Sequence, residues 1–195
     1  MKNICVYCGS NNGNSLIYRD KATELARELV KNKIRLIYGG ANIGLMKILA
    51  DEVMKNGGEV YGVITEFLAQ KHLTPSNITK LIKVDTMLER KDKMSEFADA
   101  FITMPGGFGT MDELFETLTA AQLGFTKKPI GILNINGFYD SLFTLLDNMV
   151  KEKLLLQPHR EMLLSSESPK ELISMMNNYK APVVGKWIQK IIEEN

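Results

Sequence analysis

Residues 100–113 read AFITMPGGFGTMDE, and this stretch decides the fold. Its first half is apolar and predicts a buried strand over 100–104, whereas its glycine-rich second half predicts a tight turn into a helix over about 111–122. The same order of short apolar strand, loop and helix recurs along the chain. The predicted strands cover residues 4–7, 34–38, 59–64, 81–84, 100–104 and 129–134. The alternation indicates βαβ units.

Repeated βαβ units predict an α/β protein with a parallel sheet that is covered by helices on both faces. We expect residues 1–195 to form a single domain with a C-terminal helical tail from about residue 157. A helix is predicted over 169–178 of that tail, and the segment 65–79 is predicted to be irregular.

Composition and charge exclude several classes of partner. The 24 basic and 23 acidic residues give a formal net charge of +1, so neither nucleic acid nor an anionic membrane is an expected partner. No apolar run reaches the length of about 18 residues that a membrane span needs. The chain reaches its first strand at once, which leaves no room for a signal peptide. We therefore expect a cytoplasmic protein.

The two cysteines, Cys5 and Cys8, have the spacing C-x-x-C. Redox motifs of this spacing lie at a helix N-terminus, whereas these residues lie in or at the end of an apolar strand. For a structural zinc site only His72 and His159 could supplement the pair, and both are remote in sequence. Ordinary reduced thiols, with no metal and no cofactor, are the prediction.

Three predicted strands end in glycine-containing loops, which are Gly9-Ser10, Gly39-Gly40 and Pro105-Gly106-Gly107. Ligands of open parallel sheets bind at the carboxyl ends of the strands, so these loops are expected to share one site. The segment 39–44 nearly matches G-x-G-x-x-G, but Ala41 replaces the middle glycine. No acidic residue is placed to bind a ribose about 20 residues later, which argues against a dinucleotide.

The loop at 105–110 is typical of an anion site, because glycines let backbone N–H groups approach a phosphate at a helix N-terminus. Glu113 then has two interpretations, a capping-box partner of Thr110 or a catalytic carboxylate. On the predicted helix 86–98, Arg90 shares an apolar face with Met94, so it either snorkels or points at an anion. Arg90 and Glu113 could meet across one edge of the cleft.

Several of these segments together resemble the LOG ("Lonely Guy") family of cytokinin-activating phosphoribohydrolases. Residues 105–113 match its motif P-G-G-x-G-T-x-x-E, and Arg90-Lys91 match its Arg-Lys pair. Further matches are Cys8-Gly9-Ser10, Tyr38-Gly39-Gly40, Gly44-Leu45-Met46, Gln122-Leu123-Gly124 and Lys128-Pro129. The resemblance covers about residues 3–150.

The resemblance implies a Rossmann-like, doubly wound fold, a homodimer and no metal. It also implies hydrolysis of the N-glycosidic bond of nucleoside 5′-monophosphates, AMP and cytokinin ribotides among them, to free base and ribose 5-phosphate. The catalytic pair would be Arg90 and Glu113. The implied substrate-binding residues are Ser10, Gly40, His72, Lys91, Gly106, Gly107, Phe108, Gly109, Thr110 and Thr119.

The sequence departs from the family mostly around the base pocket, so the resemblance does not identify the preferred base. The departures are Ala41, Thr65, His72, Leu88 and Ala120.

Three other functions are alternatives to this hydrolysis. Lysine decarboxylase, a frequent label in this family, requires a pyridoxal-phosphate lysine that typically follows histidine, and the chain has no His-Lys dipeptide. A nucleotide or molybdenum-cofactor carrier would not require Glu113 beside Arg90. A structural protein would not require the glycine loops.

Overall fold

The computed structural model describes residues 1–71 and 73–182 and arranges them around one seven-stranded sheet. The strand order is β4-β3-β2-β1-β5-β6-β7, and neighbouring strands pair in parallel. The strands are β1 (Asn3–Tyr7), β2 (Arg35–Tyr38), β3 (Val60–Thr65), β4 (Lys80–Val84), β5 (Ala100–Thr103), β6 (Ile130–Leu133) and β7 (Leu163–Ser166). The predicted parallel α/β sheet is confirmed.

Helices cover both faces of the sheet. They are α1 (Leu16–Lys31), α2 (Gly44–Lys55), α3 (Glu66–Ala69), α4 (Met87–Phe97), α5 (Phe108–Gln122), α6 (Asp140–Lys151), α7 (Gln157–Arg160) and α8 (Pro169–Asn177). Buried side chains of α1, α2 and α8 form one apolar cluster with the sheet, and those of α4, α5 and α6 form a second cluster on the other face. The fold is therefore doubly wound.

Strand β1 lies at the centre of the sheet and explains the continuous apolar run of its sequence. Side chains alternate between the two faces of a strand, so Ile4 and Val6 join the first cluster while Cys5 and Tyr7 join the second. All four are nearly inaccessible to solvent. Because both faces are buried, the strand has no need of polar positions.

The order of the strands reverses between β1 and β5, and this reversal positions the candidate site. After β1 the chain adds strands toward β4, whereas after β5 it adds strands toward β7. Loops that leave adjacent strands in opposite directions open a crevice, which is where ligands of doubly wound sheets bind. The loops that follow β1 and β5 meet at this crevice, where the Gly9 N–H donates to the Pro105 C=O at 3.0 Å.

Two local predictions differ from the structure. The expected helical tail contains β7, which pairs with β6, and α8, which packs on α1 and β7. The sequence of β7, Leu-Leu-Ser-Ser, is too short to show a period of two, so it was not predicted as a strand. Within the segment 65–79, expected to be irregular, Thr65 caps α3 by accepting from the Leu68 N–H. Trp187 and Ile188 of the tail lie outside the described residues, as does His72.

Candidate active site

A cleft of about 390 Å³ lies at the carboxyl ends of β1 and β2 and beside the start of α5. It is lined by seven residues that the sequence analysis assigned to the site: Ser10, Arg90, Gly107, Phe108, Gly109, Thr110 and Glu113. Its apolar lining consists of Ala41, Ile43, Met46, Leu68, Leu73 and Met87. The cleft therefore combines charged and backbone groups with a hydrophobic surface.

The loop before α5 is built for a close backbone approach. A Cβ on Gly106 would lie 2.1 Å from the Thr110 Oγ1, so only glycine fits there. A Cβ on Gly107 would meet no protein atom within 4 Å and would project into open space. The first helical hydrogen bond of α5 runs from the Met111 N–H to the Gly107 C=O at 3.1 Å. The N–H groups before Met111 are consequently free of intrahelical acceptors and suited to an anion.

Glu113 is not a capping residue. Gly107 is the N-cap of α5, so the helix begins at Phe108 rather than at about residue 111. Thr110 lies in the first turn and Glu113 in the second, beyond the capping-box position. The capping interpretation is therefore wrong, because the helix begins inside the glycine loop and not at the polar residues that follow it. The Glu113 side chain is directed toward α4 instead.

Arg90 and Glu113 form an ion pair inside the cleft. The Arg90 Nη1 donates to the Glu113 Oε1 at 2.9 Å, and the Arg90 Nε donates to the Val63 C=O at 3.1 Å. Only 7% of Arg90 and 9% of Glu113 are exposed. The predicted meeting of these two residues is confirmed, and the arginine points inward rather than snorkelling to solvent.

Burial and charge oppose each other at Glu113. Loss of solvent raises the pKa of its carboxyl group above the ordinary value of 4.5, while the guanidinium of Arg90 lowers it. The pKa of this carboxyl group is therefore raised, although the group lies next to a positive charge. Burial also raises the pKa values of the Cys5 and Cys8 thiols. Both cysteines are free, which confirms the prediction of reduced thiols, and neither is activated as a nucleophile.

The structure does not bring every predicted binding residue into the cleft. Lys91 does not line the cleft, and its Nζ pairs with Asp112 at the edge of the cleft at 3.1 Å and with Glu116 at 2.7 Å. Thr119 is exposed two turns farther along α5, where its hydroxyl donates to the Phe115 C=O.

Two predicted glycines lie at the border of the cleft. Gly40 has a φ of +69° and packs against Val63 and Ile64 below the cleft, and Gly106 faces a neighbouring pocket of about 230 Å³. The substrate-binding roles of these glycines, and those of Lys91, Thr119 and His72, stay predictions.

The sequence analysis missed two contributors to the site and the contact made by a third. Val63 supplies a carbonyl group to Arg90 and Asp112 lines the cleft, while Gly39, whose loop was expected at the site, packs directly beneath the guanidinium. The Tyr38-Gly39-Gly40 match was a signal for Gly39, but nothing in the pattern paired it with Arg90. A backbone carbonyl such as that of Val63 leaves no trace in the side-chain sequence.

The described residues offer neither a metal-ligand cluster nor a membrane-spanning helix. Across residues 1–71 and 73–182, no group of three or more His, Cys, Asp or Glu side chains could hold a metal ion. Among the helices of the described residues, none combines the length and apolar character of a membrane span.

Comparison with known proteins identifies the family. A family model described as "Possible lysine decarboxylase" matches residues 46–176. Cytokinin riboside 5′-monophosphate phosphoribohydrolase LOG2 of Arabidopsis thaliana is 40% identical over 194 residues, covering 100% of this chain and 91% of the relative. The chain belongs to the LOG family. The LOG protein of Oryza sativa, with the same enzyme name, is 43% identical to this LOG-family chain and covers 91% of it, with 74% of the relative aligned.

Solved structures share the fold of this LOG-family chain at lower identity. The molybdenum cofactor binding protein of Rippkaea orientalis superposes with a TM-score of 0.69 at 20% identity, covering 91% of this chain and 97% of the other. The molybdenum cofactor carrier protein of Chlamydomonas reinhardtii gives a TM-score of 0.65 at 17% identity, with 91% and 96% covered. At these identities the likeness shows the Rossmann-like fold alone.

Proposed function

We propose that this chain hydrolyses the N-glycosidic bond of nucleoside 5′-monophosphates and releases free base and ribose 5-phosphate. The observation that carries the proposal is the buried pair of Arg90 and Glu113 beside the open first turn of α5. An anion-binding turn and an ionisable carboxyl group in one cleft are what such a substrate requires. The phosphoribohydrolase names of the relatives support the same reaction.

The phosphate of the substrate binds at the backbone of residues 107–110. The free N–H groups there and the positive end of the α5 dipole attract the phosphate oxygens without a lysine or a metal ion. Gly107 leaves this backbone uncovered, since no protein atom lies within 4 Å of its missing side chain. Binding at this point places the ribose over the second turn of α5, where Glu113 lies.

Glu113 acts on the anomeric carbon of the ribose. Breaking the N-glycosidic bond gives that carbon oxocarbenium character, which a nearby carboxylate stabilises. The oxygen of a water molecule bonds to the anomeric carbon, and the carboxylate takes up the proton of that water. The electron pair of the broken bond leaves with the base, which takes a proton from solvent, and Glu113 gives up the proton of the attacking water to solvent.

Arg90 keeps the carboxyl group in its reactive state. Its positive charge, 2.9 Å from the carboxylate oxygen, favours the ionised form of Glu113 against the effect of burial. The guanidinium has five N–H donors, and two of them bond to protein groups among residues 1–71 and 73–182. The remaining donors suit ribose or phosphate oxygens.

The apolar lining of the cleft suits the base. AMP and cytokinin ribotides are the substrates we propose, and their purine would lie against Met46, Leu68 and Leu73.

We further propose that the chain acts in the cytoplasm and forms a homodimer. Phe115 on α5, and Leu123 and Phe125 after it, are exposed apolar side chains that a second copy of the chain would cover.

A second candidate is a carrier that binds a nucleotide or the molybdenum cofactor without turnover. It is favoured by the shared fold of the carrier proteins, but such a carrier would not need a buried carboxylate beside its arginine. The test is incubation of the purified protein with AMP and a panel of other 5′-monophosphates, followed by chromatography of the free bases. Release of adenine supports the hydrolase, whereas tight binding with no base released supports the carrier.

We expect the activity to fall in acid with an apparent pKa above 4.5. The reaction needs Glu113 ionised, and burial raises the pKa of that carboxyl group. The measurement is kcat/KM for AMP across the acid range, with the enzyme shown to remain folded at each pH. A profile that stays flat down to pH values below 4.5 would argue against Glu113 as the titrating base.

Gly107→Ala is expected to weaken AMP binding at least about tenfold without lowering Tm. The new methyl group meets no protein atom, and the φ of −97° is accessible to alanine, so the fold is unaffected. The methyl group would instead occupy space beside the phosphate-binding amides.

Gly106→Ala is the informative contrast, because its Cβ clashes with Thr110 and should lower both affinity and Tm. Calorimetric titration and thermal unfolding measure the two effects. Unchanged affinity in Gly107→Ala would place the phosphate elsewhere.

A further inference from the structure

Gly39 lies directly after β2 and beneath the guanidinium of Arg90. A Cβ built on Gly39 would be 1.9 Å from the Arg90 Nη2 and 3.1 Å from its Cζ. The backbone of Gly39 does not explain the glycine, because the left-handed φ in this turn belongs to the next residue, Gly40, at +69°. The close approach of Arg90 is therefore the feature that requires a residue without a side chain.

The position of the guanidinium depends on this space. With Nη2 over Gly39, the Arg90 Nε reaches the Val63 C=O at 3.1 Å and Nη1 reaches the Glu113 Oε1 at 2.9 Å. These two hydrogen bonds fix the plane of the guanidinium between the ends of β2 and β3 and the second turn of α5. A methyl group at residue 39 cannot coexist with that plane.

We propose that Gly39 is a positioning residue of the active site, whose missing side chain lets Arg90 hold Glu113 in its ionised, aligned state. The inference rests on the proposed function, since Glu113 is the group on which it acts. Gly39 itself touches no reacting atom in this scheme. Its contribution reaches the reaction through Arg90.

Gly39→Ala is a suitable test because the protein should still fold. The atom nearest the new methyl group is the far end of a long side chain rather than backbone, so the strands can keep their positions. Loss of the buried ion pair should lower the free energy of unfolding without abolishing the fold. The Sδ of Met46, 3.2 Å away, belongs to a flexible side chain. We expect the guanidinium to swing off Gly39 and lose its bonds to Val63 and Glu113, while the sheet and α4 stay in place.

The displacement changes the charge environment of Glu113. The titratable and charged groups that interact electrostatically with this carboxyl group are Arg90 and Lys91 from α4, Asp112 from α5, Cys5 and Tyr7 from β1, and Cys8 just after β1. Arg90 contributes more than the other groups to lowering the pKa of Glu113. When it moves away, burial is less opposed and the pKa rises further.

The experiment compares the pH profile of kcat/KM for AMP in the wild type and in Gly39→Ala. We expect the acid limb to move up by about one pH unit or more, with a loss in kcat. Gly131→Ala is the matched control: its Cβ would lie 2.8 Å from the Leu172 Cδ1, also the end of a flexible side chain, in β6 away from the cleft. The control should leave the acid limb unchanged.

A ¹³C NMR titration of the Glu113 carboxyl group gives a readout that does not depend on turnover. If Gly39 only provides room for the ligand, Gly39→Ala raises KM and leaves both the acid limb and the NMR pKa where they are in the wild type, and the inference is overturned. If the wild type releases no base, the proposed function fails, while the NMR titration still decides whether Gly39 sets the Arg90–Glu113 pair.

Discussion

Glu113→Gln is expected to abolish release of adenine from AMP while AMP binding is largely retained. Glutamine has nearly the same size, and its carbonyl oxygen can still accept from the Arg90 Nη1, so the cleft keeps its shape. It cannot carry the negative charge that faces the anomeric carbon, nor take a proton from water. Loss of a group with these roles reduces kcat by about 10³-fold or more.

The measurement is single-turnover release of adenine by chromatography, paired with calorimetric titration of AMP. Glu96→Gln is the control, because Glu96 is an exposed glutamate on α4 that pairs with Lys93 outside the cleft. The control should retain wild-type turnover. If Glu113→Gln turns over AMP at the rate of the control, Glu113 has no part in the reaction, and the nucleotide-carrier function becomes the better description.

The features of this site that could be predicted from sequence are those formed by elements that follow one another along the chain. The glycine loop at 105–109 follows β5 and opens α5, so the free N–H groups proposed to bind phosphate arise from local sequence. Arg90 and Glu113 are 23 residues apart, on the helices that flank the same strand. A polar residue on the otherwise apolar face of α4 left two alternatives for Arg90, snorkelling or pointing at an anion, and the order of the elements indicated that it could meet Glu113.

The parts that were not predictable depend on contacts between distant strands. The Val63 carbonyl and the space over Gly39 come from the ends of β3 and β2, and their relation to Arg90 exists only once the sheet has formed. Lys91 shows the converse. Its match to the family pair predicted a role in the nucleotide site, which stays a prediction, since the side chain does not line the cleft and pairs with two carboxylates on α5. Adjacent residues on a helix point in different directions.

Arg90→Met is expected to remove activity and to destabilise the fold. The variant leaves the Glu113 carboxylate buried with no positive charge in hydrogen-bond contact, and breaking a buried pair in this way costs about 3–5 kcal/mol of unfolding free energy. Methionine fills most of the volume of the arginine stem, so packing contributes little to the loss. Turnover of AMP should fall by at least about 100-fold because Glu113 loses its alignment and its charge.

The destabilisation in Arg90→Met should depend on pH with a defined sign. Burial raises the folded-state pKa of Glu113, and removal of Arg90 raises it further, whereas the unfolded chain keeps the ordinary value. A carboxyl group with a raised folded pKa stabilises the fold fully below its unfolded pKa, and that stability is lost as the pH rises through the folded pKa. The variant should therefore be closest to the wild type in acid and farthest from it at high pH.

The double variant Arg90→Met/Glu113→Gln separates this electrostatic effect from packing. With no ionisable group left at either position, it should recover most of the lost stability at high pH and lose the extra pH dependence. Urea unfolding of the wild type, both single variants and the double variant at several pH values completes the thermodynamic cycle. Equal destabilisation of Arg90→Met and the double variant at every pH would mean that the pair is held by packing alone. The charge of Arg90 would then have no influence on Glu113, and its proposed role in keeping that carboxylate ionised would be lost.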